Sequence, residues 1–395
     1  MIKRTMEKKL KQLAIGFPSI AVIGPRQSGK TTLVKKVFPK KPYVLLEDPE
    51  TLAFALKDPR SFLLQFPEGA IFDEIQRAAH LFSYLQGIID KKNIPGMFIF
   101  TGSQNFLLME QITQSLAGRI AILKLLPFSL QELDSTNISF DNYENYIFKG
   151  MYPRLYNSKI DPTDFYSNYI QTYIEKDLRL LKNIHNLSIF HIFLKMCAQR
   201  IGQTINLSSL ANDCGINHNT AKAWLSILET SFIIFFIKPY YKNFNKRLIK
   251  MPKLYFTDPG LASYLIRIQD IHHLSTHPFK GALFETFIIG ELLKQQFNIG
   301  KDNNLYFWRD KLGHEIDCII ENKNNIYPLE IKSGRTVSDD FFKNINYWNN
   351  LSKNNPMLSH VIYGGDQQQK RKIGNVTTWK NIISNKKLFL RFSEK

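Results

Sequence analysis

Three things are scarce in this sequence. It holds 3 cysteines among 395 residues (Cys197, Cys214 and Cys318), and no two of them form a C-x-x-C pair. A disulfide scaffold or a zinc knuckle needs closely paired cysteines, so both are excluded, and a reducing cytoplasm is the expected setting. Long apolar runs are missing too. The longest, "FIIFFI" at 232–237, falls far short of the roughly 20 residues a membrane helix requires. The early stretch "LAIGFPSIAVIG" is interrupted by Gly16 and Pro18, unlike a signal peptide. No membrane association is expected. Acid is the third shortage: 34 Asp and Glu stand against 52 Lys and Arg, a net charge of +18. Such an imbalance is the electrostatic footprint of a DNA-binding protein, although a basic composition serving solubility alone looks the same.

What is present is an ordinary globular composition, with 44% hydrophobic and 22% charged residues, in a chain too long for one core. Two to four domains are expected. The first signal is local. "SIAVIG" (19–24) is a short apolar run ending in glycine, and "KTTLVKKVF" (30–38) has helical spacing. Between them runs Gly24-Pro25-Arg26-Gln27-Ser28-Gly29-Lys30-Thr31, a full G-x-x-x-x-G-K-T followed by Thr32. Its glycines let backbone N–H groups wrap phosphates, Lys30 reaches the β- and γ-phosphates, and the Thr31 hydroxyl ligates Mg²⁺. The dipole at the helix N-terminus adds to the attraction.

Three further apolar runs read as buried parallel strands: "YVLLE" (43–47), "GAIFDEIQ" (69–76) and "GMFIFTGS" (96–103). The second places Asp73-Glu74 at a strand's C-terminal tip, where α/β sheets hold their ligands. Asp73 there holds Mg²⁺ through water, and Glu74 orients the water that attacks the γ-phosphate. Thr101 and Ser103 stand where a polar side chain senses that phosphate.

The segments "GPRQSGKTTL", "FDEIQR", "TGSQNFLL" and "SLAGRIAILKLLPFSLQEL" resemble the AAA+ branch of P-loop ATPases. More closely, they resemble AAA-type ATPases of bacteria and archaea that carry a C-terminal domain of unknown function. The resemblance covers most of the chain and is specific over the first 135 residues. It implies a five-stranded core, ATP as the nucleotide and Mg²⁺ as its metal. It also implies that Arg119, just before the strand "IAILKLL", is an arginine finger acting on a neighbouring subunit or in cis, an exposed arginine without a role being the alternative.

From Pro127 to about residue 195 the chain turns aromatic and helical, as a lid would. In "YIEKDLR", Arg179 either reaches towards the nucleotide or is a solvated charge. "INLSSLANDCGINHNTAKAWLSILE" (205–229) carries two amphipathic helices that meet at Ala211, with Gly215 in the turn, the pattern of a helix-turn-helix. Asn219 and Lys222 open the second helix. The strands that follow, "FIIFFIK" and "MPKLYFTD", flank a basic turn with Lys242, Lys246, Arg247 and Lys250, which reads as a wing. Over 196–255 the basic residues also include Arg200, Lys238 and Lys253, against Asp213 and Glu229 alone. DNA contact by this unit and a purely connecting role are both open.

Near the end, "EIDCII" (315–320) and "IYPLEIK" (326–332) form a hairpin across "NKNN", which brings Asp317 near Glu330 and Lys332. The helix "FKGALFETFIIGELLKQQF" (279–297) before it carries Glu285. Helix Glu, strand Asp and Glu-x-Lys resemble the PD-(D/E)xK nuclease superfamily, although the proline before Asp317 is absent. By that resemblance Asp317 and Glu330 ligate Mg²⁺ with help from Glu285, and Lys332 positions the attacking water. A degenerate nuclease domain used for binding or assembly is the competing reading.

The expected fold is thus α/β, four units in all. A P-loop AAA-type parallel five-stranded sheet spans 1–135, a helical lid 136–195, a winged helix-turn-helix 196–275, and a restriction-endonuclease-like α/β domain 276–395. The expected function is ATP hydrolysis coupled to DNA, with Mg-dependent cleavage by the last domain. The alternative is a nucleotide-dependent switch for protein partners whose nuclease-like domain is inactive. A homo-oligomer is among the expected partners.

Overall fold

A computed structural model describes residues 2–103, 114–136, 138–174, 187–241, 251–322 and 325–384. The N-terminal third is a sheet of five parallel strands, β1 (Ser19–Ile23), β2 (Tyr43–Leu45), β3 (Ile71–Asp73), β4 (Phe98–Gly102) and β5 (Ile120–Lys124). Their order is β2-β3-β4-β1-β5. Strands β1 and β4 are buried along their whole length. Their runs therefore lack polar alternation, as expected when helices cover both faces of a sheet. Ile20, Val22, Ile71 and Ile99 meet helices α1 (Glu7–Gly16) and α2 (Lys30–Val37) on one face. Ala21, Phe72, Phe98 and Phe100 meet α3 (Leu81–Lys92) on the other. Phe72 is the centre of that second face. Its ring lies 5.5 Å from Phe66, 5.9 Å from Phe62 and 6.0 Å from Phe98.

The segment expected as a lid is helical where it is described. Helix α4 (Pro162–Tyr169) starts with proline at its first turn, where a missing N–H costs nothing, and passes into a π-helical turn at Ile170–Ile174. Helices α5 (Leu187–Ala198), α6 (Leu207–Asp213) and α7 (His218–Thr230) follow. Asn206 and Asn217 cap α6 and α7 with their side-chain oxygens, and Gly215, at φ +64°, makes the turn that the spacing predicts. Strands β6 (Ile234–Pro239) and β7 (Lys253–Phe256) then pair antiparallel. The basic turn with Lys242, Lys246, Arg247 and Lys250 lies outside the described residues, as does Arg179.

Those two strands do more than the sequence suggests. The end of β6 pairs in parallel with β8 (Leu305–Arg309), Lys238 beside Tyr306. This fuses the pair to β9 (Glu315–Asn322), β10 (Asn325–Lys332), β11 (His360–Tyr363), β12 (Gln369–Arg371) and β13 (Gly374–Thr378) in one eight-stranded sheet, ordered β12-β13-β11-β10-β9-β8-β6-β7. Helices α8 (Pro259–Leu265) and α9 (Lys280–Asn298) connect β7 to β8. The side chains Phe284, Phe287 and Ile288 of α9 belong to the same apolar core as Phe72, so no polar gap separates the sheets. The other face of the eight-stranded sheet packs Trp308, Ile316 and Trp348.

No helix among the described residues is long and apolar enough to cross a membrane. The three cysteines are free and buried.

Truncating Phe72 removes the ring that four neighbouring phenylalanines share. Phe72→Ala should lower stability by about 3–5 kcal/mol, read as a shift in the urea midpoint at unchanged slope.

Candidate functional site

Gly24 to Thr31 wrap the end of β1. A Cβ on Gly24 would sit 2.0 Å from the Leu125 carbonyl oxygen, so only glycine lets the loop lie this close to β5. Gly29 takes φ +91° and starts α2, and no side chain caps that helix. The first-turn N–H donors around Lys30, Thr31 and Thr32 are therefore left for an anion. Buried Ser28 Oγ has no hydrogen-bond partner. Lys30 is buried too, and its ammonium folds back to donate to the carbonyls of Gly24 (3.0 Å) and Pro25 (2.8 Å). Arg26 stands 3.9 Å from Glu47.

The acidic pair completes the site. Asp73 accepts hydrogen bonds from Thr31 Oγ1 (2.9 Å), the Tyr43 hydroxyl (2.6 Å) and the Thr101 hydroxyl. Burial and the bond to Asp73 push the Tyr43 phenol well above its ordinary range, so it stays a donor. Glu74 takes the left-handed backbone conformation, φ +57°, which is strained for a non-glycine residue and recurs at functional sites. Its N–H donates to Thr101 Oγ1 at 3.3 Å, and its carboxylate accepts from Ser103 at 3.1 Å and from the Gln76 amide. Both carboxylates are thus held by neutral donors, and the strained turn directs Glu74.

This donor set fits ATP with Mg²⁺. The orphaned Ser28 hydroxyl, the uncapped helix and the Lys30 ammonium suit phosphates, and the Thr31–Asp73 pair suits a hard cation.

Arg119 is not part of this cradle. It precedes Ile120, which pairs with Ser19 at the start of β1, so it lies at the end of the sheet opposite the P-loop. Its guanidinium grips Asp90, with Nη2 to Oδ2 at 3.0 Å. The in-cis half of the finger expectation is therefore corrected: parallel strands put the two ends of β1 on opposite edges of the sheet, away from this chain's own P-loop.

A second cluster sits where the hairpin was expected. Leu329 pairs with Cys318 across β9 and β10, and one step further Asp317 faces Glu330. Asp317 Oδ2 accepts from the Ile331 N–H at 2.8 Å and lies 3.8 Å from Lys332 Nζ. Lys332 pairs with Glu330 at 2.7 Å. Glu330 is buried, its Oε1 has no partner, and burial beside Asp317 raises its carboxyl well above the usual range. The burial of Lys332 works against its charge, but Asp317 and Glu330 outweigh it and raise the ammonium.

Glu285, expected to assist a metal, is engaged elsewhere. It accepts from the Tyr255 hydroxyl at 2.6 Å and from Lys253 Nζ at 3.1 Å, while Lys253 also grips Glu315. Lys253, counted by sequence among the surface charges of the wing, is buried at 1% exposure. Among the described residues no group of three or more His, Cys, Asp or Glu is arranged to hold a metal ion. The expectation that Asp317, Glu330 and Glu285 form a metal centre is corrected on this point: two lysines already compensate these carboxylates. Asn219 and Lys222 are exposed on α7, and Arg200 is tied to Asp213.

Residues 16–134 match the model of the AAA domain. This part of the chain is similar to AAA domains. Residues 140–272 and 280–382 match two further families, each described as a domain of unknown function (DUF8612 and DUF4143). Over 339 residues the chain is 27% identical to an uncharacterized protein of Mycobacterium tuberculosis, covering 85% of this chain and 75% of that one. Over 341 residues it is 21% identical to an uncharacterized protein of Methanocaldococcus jannaschii, covering 77% and 72%. Among solved structures, the Walker-type ATPase PabY2304 of Pyrococcus abyssi is similar at 15% identity, with a TM-score of 0.45, over 67% of this chain and 95% of that one.

Sequence reasoning missed several members of the AAA site. Tyr43 and Gln76 hold Asp73 and Glu74; both lie in segments that the sequence singles out, but their roles show only in the hydrogen bonds. Arg4 lies beneath the P-loop. It donates to the carbonyls of Ser28 and Leu126, each at 2.6 Å, and pairs with Glu132 at 3.0 Å. In "MIKRTMEKKL" it reads as one more basic tail residue. Lys253 and Tyr255 did carry a signal, since alternation in "KLYF" puts them on one strand face.

Burial, opposed by Lys253, raises the Glu285 carboxyl to about 7. A carboxyl raised above its unfolded value of about 4.3 binds its proton more tightly when folded. Its contribution to stability is complete below that value and is lost as pH rises through about 7. Between about pH 5 and about pH 8 the urea midpoint of the wild type should therefore fall more than that of Glu285→Gln. Parallel midpoints for the two proteins would refute this.

Proposed function

We propose that this protein binds and hydrolyses ATP in its AAA domain and uses the cycle to control its association with DNA. The observation that carries the reading is the meeting of Lys30, Thr31, Asp73 and Glu74 at the C-terminal ends of β1 and β3, parallel strands on either side of β4. When bound, MgATP supplies the phosphoryl group and the metal charge. The chain supplies the rest. First-turn N–H groups and Lys30 hold phosphate oxygens, Thr31 and Asp73 face the cation, and Glu74 orients a water and accepts its proton, with Ser103 and Gln76 fixing its carboxylate.

Support for DNA as the partner comes from the net charge of +18. It also comes from α7, whose exposed face carries Asn219 and Lys222 at the start of a capped helix preceded by a tight turn. The arrangement of α6, α7, β6 and β7 is read as a winged helix with α7 as the contacting helix, and the basic turn adds phosphate contacts. For the C-terminal domain the second reading is favoured by one observation. Lys253 and Lys332 neutralise the nuclease-like carboxylates from within, so this domain serves binding or assembly rather than cleavage.

Lys30→Ala should weaken nucleotide binding. Glu74→Gln should keep ATP bound and slow hydrolysis by about a hundredfold or more. Wild-type turnover in Glu74→Gln would remove Glu74 from its role. Lys222→Glu should weaken binding to any duplex and flatten the salt slope by about one unit, as measured by fluorescence anisotropy. An unchanged affinity and slope would make the helix pair a connector.

A further inference from the structure

Helix α4 buries Phe165, Tyr166 and Tyr169 on one side, and Tyr169 reaches the P-loop, its hydroxyl donating to the Arg26 carbonyl at 3.4 Å. Thr163, Ser167 and Gln171 recur every four residues on another face, and that face looks onto a cavity of about 620 Å³. Helix α5 and the end of α8 complete the walls. The size falls within the range of about 300–1,000 Å³ usual for small-molecule sites.

The lining is chemically one-sided. Lys195 and His191 stand one turn apart on α5, Arg267 stands just past α8, and Gln171 and Gln269 add amides. The ring of Tyr264 and the side chains of Leu265 and Ile268 form an apolar patch beside them. Among the described residues the wall carries no carboxylate. Neither the Lys195 ammonium nor the Arg267 guanidinium has a hydrogen-bond or ion-pair partner there. Two unpaired cations lining one concave surface repel each other, and an anion between them relieves this.

Backbone geometry marks the same place. Arg267 has φ +67° where α8 ends, a left-handed position at which glycine is the usual residue. Holding an arginine there is strained, and strain of this kind recurs at ligand sites. The opposite wall contains the π-helical turn Ile170–Ile174, a rare element also found mostly at functional positions.

We propose that this cavity binds a small phosphorylated molecule. Lys195 and Arg267 take the phosphate, the glutamine amides take sugar or base hydroxyls and carbonyls, and the Tyr264 ring packs on an apolar or aromatic face of the ligand. The site is separate from the ATP cradle and independent of the DNA reading. It is also mechanically close to the cradle. Ile170 of the wall follows Tyr169, whose hydroxyl accepts from the Tyr152 hydroxyl at 2.9 Å and touches the P-loop, so the ligand is placed to act as an effector of ATP turnover.

The test uses the full chain with its P-loop saturated by a slowly hydrolysed ATP analogue and Mg²⁺. Pyrophosphate, ribose 5-phosphate and AMP are titrated separately by calorimetry, and the pattern among them shows whether phosphate alone, the sugar or the base is read. The expected result is one further site per chain for at least one of the three. Lys195→Met and Arg267→Gly should each weaken it by about tenfold or more. Arg267→Gly removes the cation and the strained side chain together, so its melting temperature should stay level or rise, which separates lost binding from lost fold. No binding by any probe to the saturated wild type overturns the proposal, as does binding that both variants leave unchanged. A short DNA duplex that loses affinity in both variants while no small probe binds would assign these cations to DNA, and also overturns it.

Discussion

Helix α9 holds three charges away from bulk solvent, and their partners outside the helix come from two different parts of the chain. Glu291 accepts from the Leu130 N–H at 2.7 Å and pairs with Lys294, whose ammonium donates to the Phe128 carbonyl at 3.0 Å. Glu285, two turns earlier, takes Lys253 and Tyr255 from β7. A buried charge that loses its partner costs several kcal/mol, so none of these elements moves without the others. The loop after β5, the long helix and the edge strand of the second sheet are therefore held in one register. The same loop continues to Glu132, which grips Arg4, which in turn holds the Ser28 carbonyl of the P-loop. Charge-assisted bonds at both ends of the loop and of α9 thus tie the phosphate cradle and the β7 edge of the second sheet to the same elements.

The two acidic sites use the same residue types and reach opposite states. Asp73 and Glu74 are held by a tyrosine, a serine, two threonines and an amide. Neutral donors fix a carboxylate in place and leave its charge free to attract a cation or to take a proton. Asp317, Glu330, Glu285 and Glu315 instead face ammonium groups. Their charge is already partly offset inside the protein, and a divalent ion would have to compete with Lys253 and Lys332. Which donors surround a carboxylate, more than its presence, separates a site left open to a cation from one that already holds its own.

The N-terminal third of the molecule was legible because its signals are local. Gly24, Gly29, Lys30 and Thr31 act within a few residues of one another, the glycines are required by close approach and left-handed backbone, and the runs of the central strands β1, β3 and β4 lack alternation because both faces of the sheet are covered there. The helices around Gly215 and the β9–β10 hairpin were legible for the same reason. Arg4 and Tyr43 were not, since each matters only through a partner brought to it by the fold.

By itself, then, the sequence determined the nucleotide cradle, the order of the first sheet's elements and the meeting of Asp317 with Glu330. Each of these follows from backbone periodicity and short-range turn chemistry. Tertiary structure alone decided the charge state of the second cluster. Lys253 lies 32 positions before Glu285 and 62 before Glu315 in the chain, and only the pairing of β6 with β8 carries β7 to the edge of the C-terminal sheet. A lysine that composition assigns to a solvated surface becomes an internal counter-ion, because burial of the surrounding carboxylates makes the nearest available cation worth enclosing.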